Sequence, residues 1–198
     1  MSSSSAMRIF SHTEITYNSE QNAYFKEFLK KNYRKQNKDV IDLPSDLQRY
    51  IYDNFTEHTF SVIELDEDNV CELLTYKIPD DVIGVFITGN LDFIPEQILS
   101  NKNIVFCDLS FSKIKKLPRS NFFKQLLYFD CSFTELRRIP SNLHNTVVID
   151  CKYTNMDFLP SISSAKNLKY LDLYQTKLSS GAKKRVDIEY SDIIKLNI

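Results

Sequence analysis

The chain has no tryptophan, and only three glycines and three histidines stand among its 198 residues. Three glycines can hardly build a loop that cradles phosphate, and no G-x-S-x-G nucleophile elbow is present. His12, His58 and His144 are scattered along the chain, so they form no catalytic or metal-ligating constellation by spacing. The four cysteines include no C-x-x-C pair, which removes the usual zinc signature. Long hydrophobic runs are missing too. The longest, Val82 to Ile87, falls far short of the roughly 20 residues that cross a bilayer. No apolar segment follows the initial Met-Ser-Ser-Ser-Ser-Ala, so a secretory signal peptide is not expected. Neither sign of charge dominates: 25 Lys and Arg face 26 Asp and Glu, for a net charge of −1. Such a chain has no global field to gather nucleic acid or an anionic membrane. These absences point to a protein that is not an enzyme and uses no cofactor or metal.

What the chain does have is repetition. Ile104, Leu126, Thr146 and Leu168 open four units spaced by 22, 20 and 22 residues. With the opening residue as position 1, positions 4 and 6 are Cys107/Leu109, Phe129/Cys131, Ile149/Cys151 and Leu171/Leu173. Position 9 is always a hydroxyl residue: Ser112, Thr134, Thr154 and Thr176. Position 11 is apolar again in Ile114, Leu136, Met156 and Leu178. The first three units close on Leu117-Pro118, Ile139-Pro140 and Leu159-Pro160. Two less regular units precede them. Phe60, Ile63, Leu65, Asp68, Val70 and Leu73 follow the same template, as do Val82, Val85, Ile87 and Asn90 before Ile94-Pro95, with one residue missing after Asn90.

The pattern L-x-x-L-x-L-x-x-(N)-x-L-x-x-L-P resembles the leucine-rich repeat family in its short, proline-bearing form. The resemblance implies an α/β fold, a leucine-rich repeat solenoid whose parallel strands line a concave sheet. Each proline favours an extended or 3₁₀ opposite side, with no room for a long helix in a 20- to 22-residue unit. It also implies a binding scaffold, since solenoids of this kind carry ligands that differ freely. Family members use an asparagine at position 9 to bond neighbouring turns, and a hydroxyl is expected to do part of that work. Extracellular members carry cysteine clusters over their ends, and none is visible here. Cys107, Cys131 and Cys151 fall on inward positions and read as reduced core thiols, with a disulfide or soft-metal site between Cys131 and Cys151 as the other reading. The expected location is therefore intracellular, in the cytoplasm, with secretion by a signal-peptide-independent route left open.

The expected organisation runs as follows. Residues 1–17 open with a serine run and are read as disordered. Residues 18–59 form an N-terminal α-helical cap, with helices from Asn18 to Lys35 and from Asp46 to Phe55. Ser45 and Gln48 have the spacing of a capping box at the second. Degenerate repeats occupy 60–103, regular repeats 104–181, and a C-terminal cap 182–198. In that cap Val186, Ile188 and Tyr190 alternate, as do Ile194, Leu196 and Ile198, which reads as one or two short strands covering the last coil. The entry Leu43-Pro44-Ser45-Asp46-Leu47, with Val70-Cys71 later, also resembles the F-box, although that family's usual tryptophan is missing. It would make residues 43–75 a docking element of a ubiquitin-ligase substrate adaptor.

Positions 3, 5 and 8 are expected to point outward from the sheet. Position 5 gives an acidic column of Asp108, Asp130, Asp150 and Asp172. Phe106, Tyr128 and Tyr170 occupy position 3, and Phe111, Phe133 and Tyr153 position 8. Carboxylates stacked at the strand spacing of about 4.8 Å repel by roughly 1 kcal/mol even in water. A basic protein partner would relieve that repulsion, and aromatic residues beside charge are the stuff of interface hot spots. These ten residues are the expected partner-binding surface of a protein–protein interaction module. A second outward feature, Lys115-Lys116 stacked on Arg137-Arg138, joins the basic stretch from Lys26 to Lys38 in offering the alternative of a nucleic-acid or phospholipid binder. The net charge makes nucleic acid the weaker expectation.

Overall fold

A computed structural model describes residues 9–11, 61–80, 82–163, 165–193 and 195–198. The expected helices at 18–35 and 46–55, and the F-box-like stretch up to residue 60, lie outside the described residues. Among the described residues eight strands form one sheet in sequence order: β1 (Ile9–Ser11), β2 (Ser61–Leu65), β3 (Val82–Ile87), β4 (Phe106–Asp108), β5 (Tyr128–Asp130), β6 (Val148–Asp150), β7 (Tyr170–Asp172) and β8 (Lys195–Asn197). β1 pairs antiparallel with β2, and β2 to β8 run parallel. Among the described residues no helix is long and apolar enough to cross a membrane.

From Val62 onward the register follows the repeat template, with a shift between Ser61 and Val62 at the start of the first strand pair. Ile63, Val85, Cys107, Phe129, Ile149, Leu171 and Leu196 lie opposite one another in successive strands. The described residues fold as a leucine-rich repeat solenoid. Residues 61–74, the degenerate first unit, form a coil of it: Ile63 and Leu65 are buried beside Val85 and Ile87, and Val70–Leu74 closes in a 3₁₀ turn. A strand of three residues buries too little to stand alone, so each coil is stable only against its neighbours. Positions 4, 6 and 11 of the four regular units are buried throughout. On the proline side the backbone is mostly extended, broken by two short helices, α1 (Glu96–Leu99) and α2 (Phe122–Gln125). Their Ile98, Phe122 and Phe123 fill the core from that side.

Two local expectations are corrected. The position-9 hydroxyls do not reach neighbouring turns. Ser112, Thr134, Thr154 and Thr176 each donate to the position-6 carbonyl of their own coil, at 2.6, 2.6, 2.8 and 2.8 Å. A hydroxyl is too short to span two coils but sits well for a carbonyl three residues back. Nor is Val186–Tyr190 a strand. Ser179 caps a ten-residue helix, α3 (Ser180–Glu189), by accepting the Ala182 amide. Val186 and Tyr190 are buried at the i, i+4 spacing of a helix face, and Ile188 is 70% exposed. The second alternation does form a strand, β8, which pairs with β7.

Burial of the thiols gives a direct check. Cys107, Cys131 and Cys151 are free and fully buried, whereas Cys71 is exposed. Burial pushes the Cys107 and Cys151 thiols up, and for Cys131 its contact with Cys151 adds first to that effect. A thiol reagent should therefore label one cysteine rapidly in the native protein and the other three only on unfolding. Fast labelling of more than one, counted by mass spectrometry, would contradict the inward assignment.

Candidate functional site

Each coil leaves its strand through the same short turn, and that turn decides which side chains stay accessible. At position 8 the backbone is left-handed: Gly89 has φ 68°, and Phe111, Phe133, Tyr153 and Gln175 have 60°, 56°, 54° and 56°. This conformation aims the position-8 amide at the next coil. Phe111 donates to Ser132 at 3.2 Å, Phe133 to Lys152 at 3.0 Å and Tyr153 to Tyr174 at 2.8 Å, all to backbone oxygens. The parallel ladder thus continues past the end of each three-residue strand.

The aspartates at position 5 brace the same turn. Oδ1 of Asp108, Asp130, Asp150 and Asp172 accepts the backbone amide two residues on, at 2.8, 2.8, 3.1 and 2.9 Å. The expectation of an open acidic surface is corrected here. All four carboxylates are between 0 and 3% exposed, and their oxygens are engaged within the fold. Tyr128 and Tyr170 at position 3 are buried too, and their hydroxyls donate to Asp130 and Asp172 at 3.3 and 3.2 Å. Where position 3 is Val148, a different donor takes over: Lys152 reaches back to Asp150 at 2.6 Å. Ser110 donates its hydroxyl to Asp108, and Asn197 of β8 donates to both oxygens of Asp172 at 3.1 Å. Asp-x-polar ahead of a left-handed residue is the sequence signal of such a turn, since Asp readily accepts an amide two residues on.

The column is electrostatically tense. Neighbouring charges at the strand spacing of about 4.8 Å repel by roughly 3 kcal/mol at an effective dielectric constant near 20. Burial pushes Asp150 up to about 6, against the pull of Lys152 and with the help of Asp172. For Lys152 burial acts downward, yet Asp150, Asp130 and Asp172 together leave its amine above the ordinary range. Burial also raises the Tyr170 phenol. Among the described residues no group of three or more His, Cys, Asp or Glu has the geometry to hold a metal ion.

Position 8 is what the turn leaves accessible. Phe111, Phe133 and Tyr153 are 39, 39 and 46% exposed, and Tyr174 joins them from position 7 at 41%. Phe111 stacks on Phe133 at 4.4 Å between ring centroids, and Phe133 stacks on Tyr153 at 4.7 Å. Tyr174 meets Tyr153 edge-on at 5.6 Å. Sequence reasoning placed Phe111, Phe133 and Tyr153 correctly in one line and missed Tyr174, because position 7 is polar in the three coils before it. Phe106 is half-buried and stacks on Tyr128 at 5.5 Å, so it belongs with the covered position-3 residues.

No family model and no curated protein matches the chain. Solved structures with a similar fold include an internalin of Listeria monocytogenes, with 14% identity and a TM-score of 0.41 over 51% of this chain and 31% of that one. A leucine-rich repeat protein of Leptospira interrogans overlaps 59% of this chain and 27% of its own, with 21% identity and a TM-score of 0.35. The chain spans less than a third of the length of either protein.

The raised Asp150 carboxyl makes a pH prediction. A carboxyl whose folded pKa lies above its unfolded value near 3.9 binds its proton more tightly when folded. Its protonation therefore adds stability as pH falls through about 6, and the gain is complete below the unfolded value. Urea unfolding of the wild type and Asp150→Asn between pH 7 and 4 should show the difference moving in favour of the wild type, by up to about 3 kcal/mol. A difference independent of pH would contradict a strained, buried carboxylate at this position.

Proposed function

We propose that this leucine-rich repeat solenoid is a non-enzymatic module that binds another protein through the aromatic ladder at position 8. The observation that carries the reading is the pairing of exposure with backbone conformation. Left-handed backbone suits glycine, which the third-strand coil has at Gly89, and it costs a bulky residue about 1 kcal/mol or more. Three successive coils nevertheless place Phe111, Phe133 and Tyr153 there. Their mutual stacking returns roughly 0.5–1.5 kcal/mol per pair, which offsets the backbone cost without a clear surplus. The rings thus add little to stability alone, and they leave an apolar strip on the surface of coils whose position-4, -6 and -11 side chains are buried. Rigid aromatic side chains lose little entropy on binding and dominate interface energies.

The partner is a protein that brings apolar side chains to the strip. The acidic column supports it from behind: the carboxylates hold the turns that aim the rings, and the notion of a basic partner drawn by open carboxylates has no support from their burial. Four free thiols fit work in a reducing compartment.

The test begins with a photo-crosslinking amino acid in place of Tyr153, used in extract of the native cells to capture and identify the partner. Affinity of the purified partner is then measured for the wild type and for Phe133→Asn/Tyr153→Asn. Asparagine tolerates the left-handed backbone. The double variant should bind at least tenfold more weakly, as expected for two interface rings worth 1 kcal/mol or more each. Its stability to urea should stay within about 1 kcal/mol of the wild type or rise. Unchanged affinity, or a large loss of stability, would show that the rings serve the fold and not a partner.

A further inference from the structure

A second surface lies on the proline side, where three consecutive coils line a groove of about 1010 Å³. Its cations are Lys115, Lys116, Arg119, Arg137 and Arg138, and its single carboxylate is Asp157. Two of the five cations are spoken for. Lys115 pairs with Glu135 at 3.1 Å, and Arg137 donates through Nε to Asp157 at 2.9 Å, which holds the Asp157 carboxyl below its usual range. Lys116, Arg119 and Arg138 are exposed and form no ion pair among the described residues, although Arg138 lies near enough to Asp157 to help lower its carboxyl. Five cations against one carboxylate make the lining of the groove net positive on a chain whose net charge is −1.

The groove is also shaped and partly apolar. Pro118, Pro140 and Pro160 fix the backbone of its three coils, and Asn142 ties two of them by donating to the Ser120 carbonyl at 2.9 Å. Arg138 lies over the Phe158 ring, 5.3 Å from its centroid. That contact fixes the planar guanidinium and leaves its edge to donate in a fork to a carboxylate or phosphate oxygen.

We propose that this groove binds an acidic peptide segment, one in which aspartate or glutamate alternates with apolar residues. Lys116, Arg119 and Arg138 take its carboxylates, while Leu117 and the prolines take its apolar side chains. Nucleic acid fits the surface less well. Single strands need free aromatic faces on which bases stack, and the Phe158 face is occupied by Arg138. Glu135 and Asp157 also interrupt the positive track that a phosphate backbone follows. The groove is separate from the aromatic ladder, so this proposal stands or falls independently of the ladder's role.

The test is fluorescence anisotropy on the full chain with a labelled peptide of Glu-Glu-Leu repeats, alongside a labelled single-stranded oligothymidylate of equal charge. The peptide should bind more tightly than the oligonucleotide, and binding should weaken as salt rises. Lys116→Ala/Arg119→Ala/Arg138→Ala should weaken peptide binding by about tenfold or more, and Arg138→Gln alone by about threefold. Lys183→Ala/Lys184→Ala on α3 should leave it unchanged, as should Phe133→Asn/Tyr153→Asn. Circular dichroism checks that each variant is folded, which their exposed positions favour. Tighter binding of the oligonucleotide, peptide binding equally sensitive to the α3 pair, or no peptide binding at low salt would each overturn the proposal.

Discussion

The turn that ends each strand is the constraint on which the rest of the structure depends. A coil of 20 to 22 residues must leave its strand after three residues without orphaning buried amides, because an unpaired buried amide costs as much as a lost hydrogen bond. Two devices meet that demand. The position-5 carboxylate accepts the amide of position 7, and the left-handed residue at position 8 turns its own amide onto the next coil. The first recurs in all four regular units and the second in the first three, so the coils stack in register and the core positions fall opposite one another. The electrostatic tension of four buried carboxylates follows from the same device and is eased locally by Lys152, Tyr128, Tyr170 and Asn197.

Much of this was legible in the sequence because the repeat period fixes register. The positions of Cys107, Phe129, Ile149 and Leu171 in the core, and of Phe111, Phe133 and Tyr153 on one line, follow from spacing alone. What spacing does not give is the fate of a polar side chain. An aspartate that alternates with buried residues looks outward-facing and free, yet its nearest amide is its own, two residues on. The hydroxyls at position 9 were misjudged for the same reason: the short side chain satisfies a local carbonyl before it can reach another coil. Val186, Ile188 and Tyr190 fit a strand or a helix equally by residue type, and the exposure of Ile188 together with the Tyr190 amide bond to Val186 separates the two periods. Phe122 and Phe123 were passed over because they lie outside the template, on the return path of the coil.

The aromatic ladder and the groove differ in kind. The aromatic ladder is apolar and held by the turns. The groove beyond the prolines is basic and organised by Pro118, Pro140 and the Arg138–Phe158 contact. Were both surfaces to bind as proposed, the scaffold would engage two partner segments at once. Linking two such contacts raises overall affinity without any new contact, provided the geometry allows both.

The central claim is that position 8 is a structural junction that carries an exposed ring. Amide hydrogen exchange measures it directly. The amides of Phe111, Phe133 and Tyr153 donate to the next coil, so they should exchange as slowly as those of the strand residues Phe129 and Ile149, although their side chains face solvent. Exchange at the rate of an unprotected loop at these three positions would contradict the account, because the rings would then sit on turns that nothing holds.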